Sequence, residues 1–437
     1  MTDYALADPA PDTARPVLIA CRECDLLQYQ PELRGRFVLR CRDCGIELRH
    51  HVPGGLDHTL AYTLGALILF VLANIFPIVG LELNDDRSDV LLYRAVHALF
   101  DQGEYVVGTL VGFTTMVVPA LELLAIIYIL LPLKFGRIPP RFALVYRAVH
   151  ATRPWGMIEV FMLGVLVSLV KLSNFAHVLP GFALWSFGLL ILLMAAVAFS
   201  FNPPELWARV DEIRGTPQRF CKPPRNIGSL RSTAKRHGLI RCPSCGQLHR
   251  QASASDRYCR CTRCGAPLVS RKRDSIERTW AFVVTAGIFY IPANVLPIMH
   301  TQSLLASESD TILSGILVLW HTGSWPLALL VFFASIVVPL LKLVVITYLL
   351  FSVGRRSQWR PKFRSRMHRI VEEIGRWSML DIYVVTLLAA LVQLRGLASV
   401  EIERGATAFA VVVIMTMFAA QQLDPRLIWD PIEEGNV

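Results

Sequence analysis

The sequence predicts a polytopic α-helical membrane protein: two tandem modules of about four transmembrane helices, each preceded by a small cytoplasmic four-cysteine zinc ribbon. Three observations predict it. Of 437 residues, 54% are hydrophobic and 18% charged, and the hydrophobic ones gather into long runs. Eight of the ten cysteines fall in four Cys-x-x-Cys pairs. A series of short motifs also recurs, in order, about 220 residues later.

The repeat carries the domain organisation. Cys21/Cys24 and Cys41/Cys44 are echoed by Cys242/Cys245 and Cys261/Cys264. Ala73-Asn74-Ile75-Phe76-Pro77-Ile78 returns as Ala293-Asn294-Val295-Leu296-Pro297-Ile298, and Val117-Val118-Pro119 as Val337-Val338-Pro339. Trp155-Gly156-Met157-Ile158-Glu159 is matched by Trp377-Ser378-Met379-Leu380-Asp381. Matches in the same order and nearly constant register indicate duplication.

Apolar runs predict helices over 58–79, 105–133, 156–178 and 182–201, then over 279–299, 324–352, 377–397 and 405–421. Each is long enough for about 30 Å of hydrocarbon. The expected division is a disordered tail (1–20), ribbon 1 (21–50), module 1 (56–202), a linker (203–241), ribbon 2 (242–270), module 2 (276–422) and a C-terminal tail (423–437). No removable signal peptide is expected, because the first 20 residues lack a charged start and an apolar stretch.

Loop charge sets the orientation. Segment 134–153 holds Lys134, Arg137, Arg141, Arg147 and Arg153 without an acid, and its counterpart is basic too. The opposite loops carry Glu82, Asp85, Asp86, Asp89, Glu308 and Asp310. The positive-inside rule then places the basic loops, ribbons and termini in the cytoplasm. The same placement accounts for the net charge of +10 without nucleic acid. Residues 90–101 read as a short amphipathic helix on the far surface.

Two Cys-x-x-Cys knuckles offer four soft thiolates to one tetrahedral ion, so two zinc ions are expected, one per ribbon. The ligands are Cys21, Cys24, Cys41 and Cys44, then Cys242, Cys245, Cys261 and Cys264. The gaps of 16 and 15 residues between pairs suit a ribbon whose intervening residues form hairpin strands. Gly45, Gly246 and Gly265 follow ligand cysteines, where a knuckle often needs positive φ. A redox dithiol is the competing reading, opposed by the quartet arrangement. Cys221 and Cys259 lie outside the pattern, Cys259 as an alternative ligand or a bystander. A closed four-cysteine site is structural rather than catalytic.

Polar residues within apolar runs form the second group. Glu122 and Lys342 occupy matching positions with opposite charge; they either pair across the modules or separately satisfy local polar groups. Lys171, followed by Asn174, has Gln393 as its counterpart in the other copy, and Lys171 either snorkels or lines a cavity. Pro77 and Pro297 must end or kink a helix, and Asn74 and Asn294 either satisfy the freed backbone or contact substrate. Pro119 and Pro339 predict further kinks beside Glu122 and Lys342. Glu159 and Asp381 suit helix starts. No phosphate-binding Gly-rich loop, nucleophile elbow or His-Glu metal motif occurs, so no enzyme activity is expected.

The cysteine quartets, the Ala-Asn-x-x-Pro-Ile and Val-Val-Pro segments and the Trp-x-Met-x-Glu/Asp pair together resemble the paraquat-inducible protein A family, over about 21–421. The resemblance implies a Gram-negative inner-membrane component that works with a periplasmic MCE-domain tunnel protein. It implies movement of membrane phospholipid between that tunnel and the inner membrane, for outer-membrane homeostasis. It identifies no substrate residue. A non-transporting scaffold for the tunnel and a membrane thiol oxidoreductase remain as alternatives.

Overall fold

The computed structural model describes residues 17–30, 37–51, 54–83, 86–173, 177–215, 232–250, 260–303, 307–321, 323–391 and 398–434. Two hairpins open the chain. β1 (Val17–Ala20) pairs with β2 (Leu27–Gln30), and β3 (Phe37–Arg40) with β4 (Glu47–His51). The residues between the cysteine pairs form hairpin strands, as the spacing predicts, but β2 and β3 belong to two different hairpins, each with a knuckle at its tip. Backbone bonds from Cys21 N to Leu26 O (2.9 Å) and from Cys41 N to Ile46 O (2.8 Å) close the two turns. β1 also lies inside the stretch read as tail.

α1 (Gly55–Ile75) stops two residues before Pro77, which has no N–H to continue the ladder. The helix expected to reach residue 79 gives way to β5 (Val79–Leu83), followed by β6 (Asp86–Val90) and α2 (Leu92–Asp101), the amphipathic helix expected from the sequence. α3 (Tyr105–Gly112) runs through a π turn (Phe113–Val117) into α4 (Val118–Lys134). Pro119 explains the π turn: its ring would strike a carbonyl in a tight ladder, and Val118 N bonds back five residues to Phe113 O. α5 (Phe142–Thr152), a 3-10 turn (Arg153–Trp155) and α6 (Ile158–Ser173) come next. The module closes with β7 (His177–Pro180), α7 (Phe182–Ser200) and α8 (Pro203–Arg214).

β8 (Leu239–Arg241) and β9 (Leu248–Arg250) enclose Cys242 to Cys245, and an Arg260–Pro267 bridge encloses the last pair. The second module repeats the first: α9 (Ser275–Val295), β10 (Met299–Ser303), β11 (Ser307–Asp310) and α10 (Ile312–His321). α11 (Trp325–Phe332) passes through a second π turn (Phe333–Val337) into α12 (Val338–Gly354). α13 (Pro361–Ile374), a 3-10 turn (Gly375–Met379), α14 (Leu380–Leu391), β12 (Ala398–Ile402) and α15 (Arg404–Gln422) follow, with α16 (Asp430–Glu434) at the end.

Two further expectations are corrected. The helix read over 156–178 ends at Ser173, because His177–Pro180 is a strand. The basic segments read as loops are largely helical, as α5 and α13. α3 to α4 and α11 to α12 each run 30 residues, about 45 Å, against about 30 Å of hydrocarbon. α5 and α13 fold back along the C-terminal ends of α4 and α12, so the third span of each module is approached through a helix broken at the 3-10 turn.

Among the described residues six helical stretches are long and apolar enough to cross a membrane, which makes this a multi-pass membrane protein. α1 packs on α7 and α9 on α15 within their modules, while α6 packs on α14 between modules. One apolar core runs through both. Three-stranded antiparallel sheets, ordered β6-β5-β7 and β11-β10-β12, sit at the far end of α1 and α9 from the ribbons.

At those sheets the proline-terminated helices meet the fourth helices. Gly181 N and Ala183 N donate to Ile78 O and Pro77 O (2.9 and 3.3 Å); Glu403 N and Gly405 N donate to Ile298 O and Pro297 O (2.8 and 3.1 Å). The approach is close enough to require glycine. A Cβ on Gly181 would lie 2.1 Å from Pro77 O, and one on Gly405 2.4 Å from Pro297 O.

Candidate metal centres and the buried membrane charges

In each ribbon the four Sγ atoms lie within 4.8 Å of one another. The Cys21–Cys44 and Cys24–Cys41 separations are 3.5 and 3.4 Å, and Cys242–Cys264 and Cys245–Cys261 are both 3.5 Å. A disulfide would need about 2.05 Å. Four thiolates around an ion at 2.3 Å would stand about 3.8 Å apart. Both quartets therefore fit a four-coordinate metal ion. Positive φ at Gly45 (71°), Gly246 (75°) and Gly265 (68°) shapes three knuckles; in the fourth Asp25 takes that conformation (61°).

Polar groups around the sulfurs were not legible as ligands' neighbours in the sequence. Gln28 Nε2 donates to Cys41 Sγ (3.2 Å), and at the matching place in ribbon 2 His249 Nε2 meets Cys261 Sγ (3.2 Å). Such contacts orient and tune thiolate ligands. Cys221 and Cys259 lie outside the described residues.

The ribbons dock crosswise. Ribbon 1 shares a core with α12, α13 and α15 of module 2, and ribbon 2 shares one with α4, α5 and α8 of module 1. Arg369 Nη2 donates to Cys44 O (3.2 Å), and Nη1 stands 3.3 Å from Glu23 Oε2. The matching Arg147 Nη1 donates to Gly265 O (3.1 Å), while Arg263 pairs with Asp211 at 2.6 Å and lies over the Trp207 ring. Ribbon 1 also joins the segment that leads into ribbon 2: Leu27 N donates to Ser232 O (2.8 Å) and Ala234 N to Asp25 O (2.9 Å). Arg271 ties Asp25 (3.1 Å) to Asp430 (2.7 Å). Burial pushes the Glu23 and Asp25 carboxyls up, against the pull of Arg369 and Arg271.

Glu122 and Lys342 are both buried and do not meet. Glu122 Oε1 faces Arg153 Nε at 3.8 Å, whereas Lys342 Nζ donates to Gly375 O (2.9 Å) and Thr416 Oγ1 (3.4 Å). Of the two readings of these residues, the structure gives the local one: each charge holds the break in its own module's third span. Asn74 Nδ2 and Asn294 Nδ2 donate to Phe70 O (2.7 Å) and Tyr290 O (2.8 Å), one turn back in their own helices. They therefore do not reach the Ala73 and Ala293 carbonyls freed by the prolines. Lys171 sits in the last turn of α6; Asn174 and Gln393 lie outside the described residues. Across the modules, Thr114 in the first π turn bonds the Tyr383 hydroxyl on α14 (2.9 Å).

The model of the family described as paraquat-inducible protein A matches residues 56–211 and 276–433, one match per module. The intermembrane transport protein PqiA of Escherichia coli K12 is 34% identical over 419 residues, covering 96% of this chain and 97% of the relative. The lipophilic envelope-spanning tunnel protein A of the same organism is 30% identical over 95% of this chain and 92% of its own length. A probable intermembrane transport protein of Haemophilus influenzae is 27% identical over 94% of this chain and 95% of its own. No solved structure matches. With both modules matched and the similarity spanning nearly the whole length, the chain belongs to the paraquat-inducible protein A family.

Proposed function

We propose that the chain is the inner-membrane component of an MCE-type intermembrane lipid transport system. It would move phospholipid between the inner membrane and a periplasmic MCE-domain tunnel protein. The observation that carries this reading is the 34% identity, over 96% of the chain, to a relative named as an intermembrane transport protein. The architecture is compatible: both third spans are broken beside a buried charge, and discontinuous helices are a recurring way to build a transport site. The role is that of a transporter rather than an enzyme.

In this reading both quartets hold zinc, which would cross-brace the knuckles and fix the ribbons on their opposite modules. The chain's own residues supply four thiolates per ion and an N–H from Gln28 or His249 to one sulfur. Loop charge puts the ribbons and termini in the cytoplasm and the sheets in the periplasm. Glu122, Lys342 and Lys171, with Asn74, Asn294, Asn174 and Gln393, are the polar groups we assign to the transport path. The domain division read from the sequence is kept with three changes: β1 joins ribbon 1, α8 joins module 1 and β8 joins ribbon 2.

The test is transfer of a labelled phospholipid from proteoliposomes holding the full-length chain to its MCE-domain partner. Transfer that needs the chain, and falls at least tenfold in Glu122→Gln or Lys171→Gln while the complex still assembles, supports transport. Assembly with transfer independent of both residues favours the scaffold alternative.

A further inference from the structure

α13 has two faces, and only one is used by the fold. Inward, Arg364 Nη1 and Nη2 donate to Ser352 Oγ and Ser357 O (both 2.6 Å), and Arg369 holds the Cys44 carbonyl of ribbon 1. Val371 and His368 are buried beside them. Outward, Phe363 and Ile370 lie on one face at helical spacing, and the half-buried Ile374 and exposed Trp377 continue that face to the helix end and beyond it. Phe363 is 50% exposed and Ile370 44%, so the face is open.

Cations border this face. Lys362 and Arg366 are exposed on α13 itself. Arg360 lies just before the helix, its guanidinium 5.4 Å from the centroid of the exposed Trp359 ring. No acidic residue occurs from 355 to 371, and the exposed acids of α13, Glu372 and Glu373, stand in its last turn. The helix also stands where a bilayer surface must pass, because it links α12 to α14, both apolar.

The repeat supplies an internal control. With the 222-residue offset that relates Arg147 to Arg369, Phe363, Ile370 and Ile374 correspond to Arg141, Ala148 and Thr152. Lys362 and Arg366 correspond to Pro140 and Leu144. Module 1's α5 exposes Leu144 but no Phe, Tyr or Trp ring, and it has no cation at the positions of Lys362 and Arg366, so an aromatic face with that basic border is not a requirement of the shared fold.

We propose that the outer face of α13 is a binding site for anionic phospholipid headgroups. Phe363, Ile370 and Trp359 insert at the interface, and Arg360, Lys362 and Arg366 contact phosphate. An apolar face bordered by cations is the arrangement that anionic leaflets attract. The site rests on the chain being a multi-pass membrane protein and on nothing about what it transports.

The test uses the full-length protein in nanodiscs of phosphatidylcholine alone or with a quarter phosphatidylglycerol. The readouts are co-purified phosphatidylglycerol by mass spectrometry and amide exchange of residues 361–374. Phosphatidylglycerol should be retained selectively and should slow exchange there but not in 142–152. Arg360→Gln/Lys362→Gln/Arg366→Gln should bind about a hundredfold more weakly, from three cations near an anionic surface. Lys134→Gln/Arg137→Gln/Arg141→Gln, a matched loss of three charges on module 1, should change retention less than twofold. Equal retention by both variants, or equal exchange in the two lipid mixtures, would overturn the proposal; loss of protection in phosphatidylcholine too would mark the triple variant as misfolded, and Phe363→Ser/Ile370→Ser then decides, since unchanged retention overturns the site.

Discussion

Lys342 Nζ donates to the carbonyl of Gly375, and Gly375 stands 222 positions after Arg153, whose guanidinium faces Glu122. The two modules thus fasten the same break with opposite chemistry: a carboxylate taking a side-chain cation in one, an ammonium giving to a backbone oxygen in the other. The opposite charges at one sequence position follow from the partner that each module offers.

This local arrangement predicts which double substitution rescues. Glu122→Lys brings two cations together beside Arg153 and should sharply reduce folded protein. Adding Arg153→Gly copies the module 2 pattern and should restore much of it. The exchange Glu122→Lys with Lys342→Glu should restore nothing, because it spoils two separate fastenings. Lys342→Met strands the Gly375 carbonyl at a cost of about 1–3 kcal/mol. Arg153 is 43% exposed, so its loss should cost less than the several kcal/mol of a sealed pair. Thermal unfolding in detergent measures all five, and rescue by the cross-module exchange would refute the arrangement.

Gly181→Ala and Gly405→Ala should each destabilise by about 3 kcal/mol or more, the upper end of overpacking costs. The added methyl would meet a backbone carbonyl at 2.1 or 2.4 Å, and that oxygen is fixed by the N–H groups that bond it. Gly188→Ala, with nothing within 4 Å, is the control and should be neutral or slightly stabilising. Equal melting temperatures for Gly181→Ala and Gly188→Ala would contradict the close approach.

These elements also show where the sequence was informative. Apolar runs, cysteine spacing and proline positions are local signals, and they located the helices, the quartets and the irregular turns before Glu122 and Lys342. The short sheets were missed because strands such as His177–Pro180 abut apolar helices and add no periodicity of their own. Crossed docking was not legible because Arg147 and Arg369 reach carbonyls 118 and 325 positions away, and a carbonyl has no sequence signature. Arg153 was visible only as one more cation in a basic loop; its role depends on α5 folding back along α4.

Crossed docking makes the effect of losing a metal ligand nonlocal in sequence. Cys41→Ser in ribbon 1 should speed amide exchange in α13, where Arg369 loses its hold on Cys44, and leave α5 nearly unchanged. Cys261→Ser should do the reverse, through Arg147 and Gly265. Chelation of the wild-type protein should affect both helices. A tenfold rise in exchange is the expected scale, and loosening confined to each ribbon's own module would contradict the crossed packing.

Asp424, at the foot of α15, gives the acid dependence a predicted sign. Its carboxylate is 1% exposed. It accepts from Arg426 Nε (3.0 Å), Arg426 Nη2 (2.9 Å) and Lys272 N (3.1 Å). Burial alone would raise its pKa, but the Arg426 bonds and charge, with the backbone N–H groups, hold it below the usual carboxylate range. A carboxyl lowered on folding contributes stability that is complete above its unfolded pKa of about 3.9 and is lost as pH falls through the folded value. Glu23 and Asp25, raised by burial, act in the opposite sense and gain on acidification. The informative quantity is therefore the difference between wild type and Asp424→Asn. That difference should be constant from about pH 7 to 5 and shrink steadily below about pH 4. Denaturant unfolding in detergent across this range measures it, and a difference that holds constant down to pH 3 would mean that Asp424 is not the stabilising carboxylate.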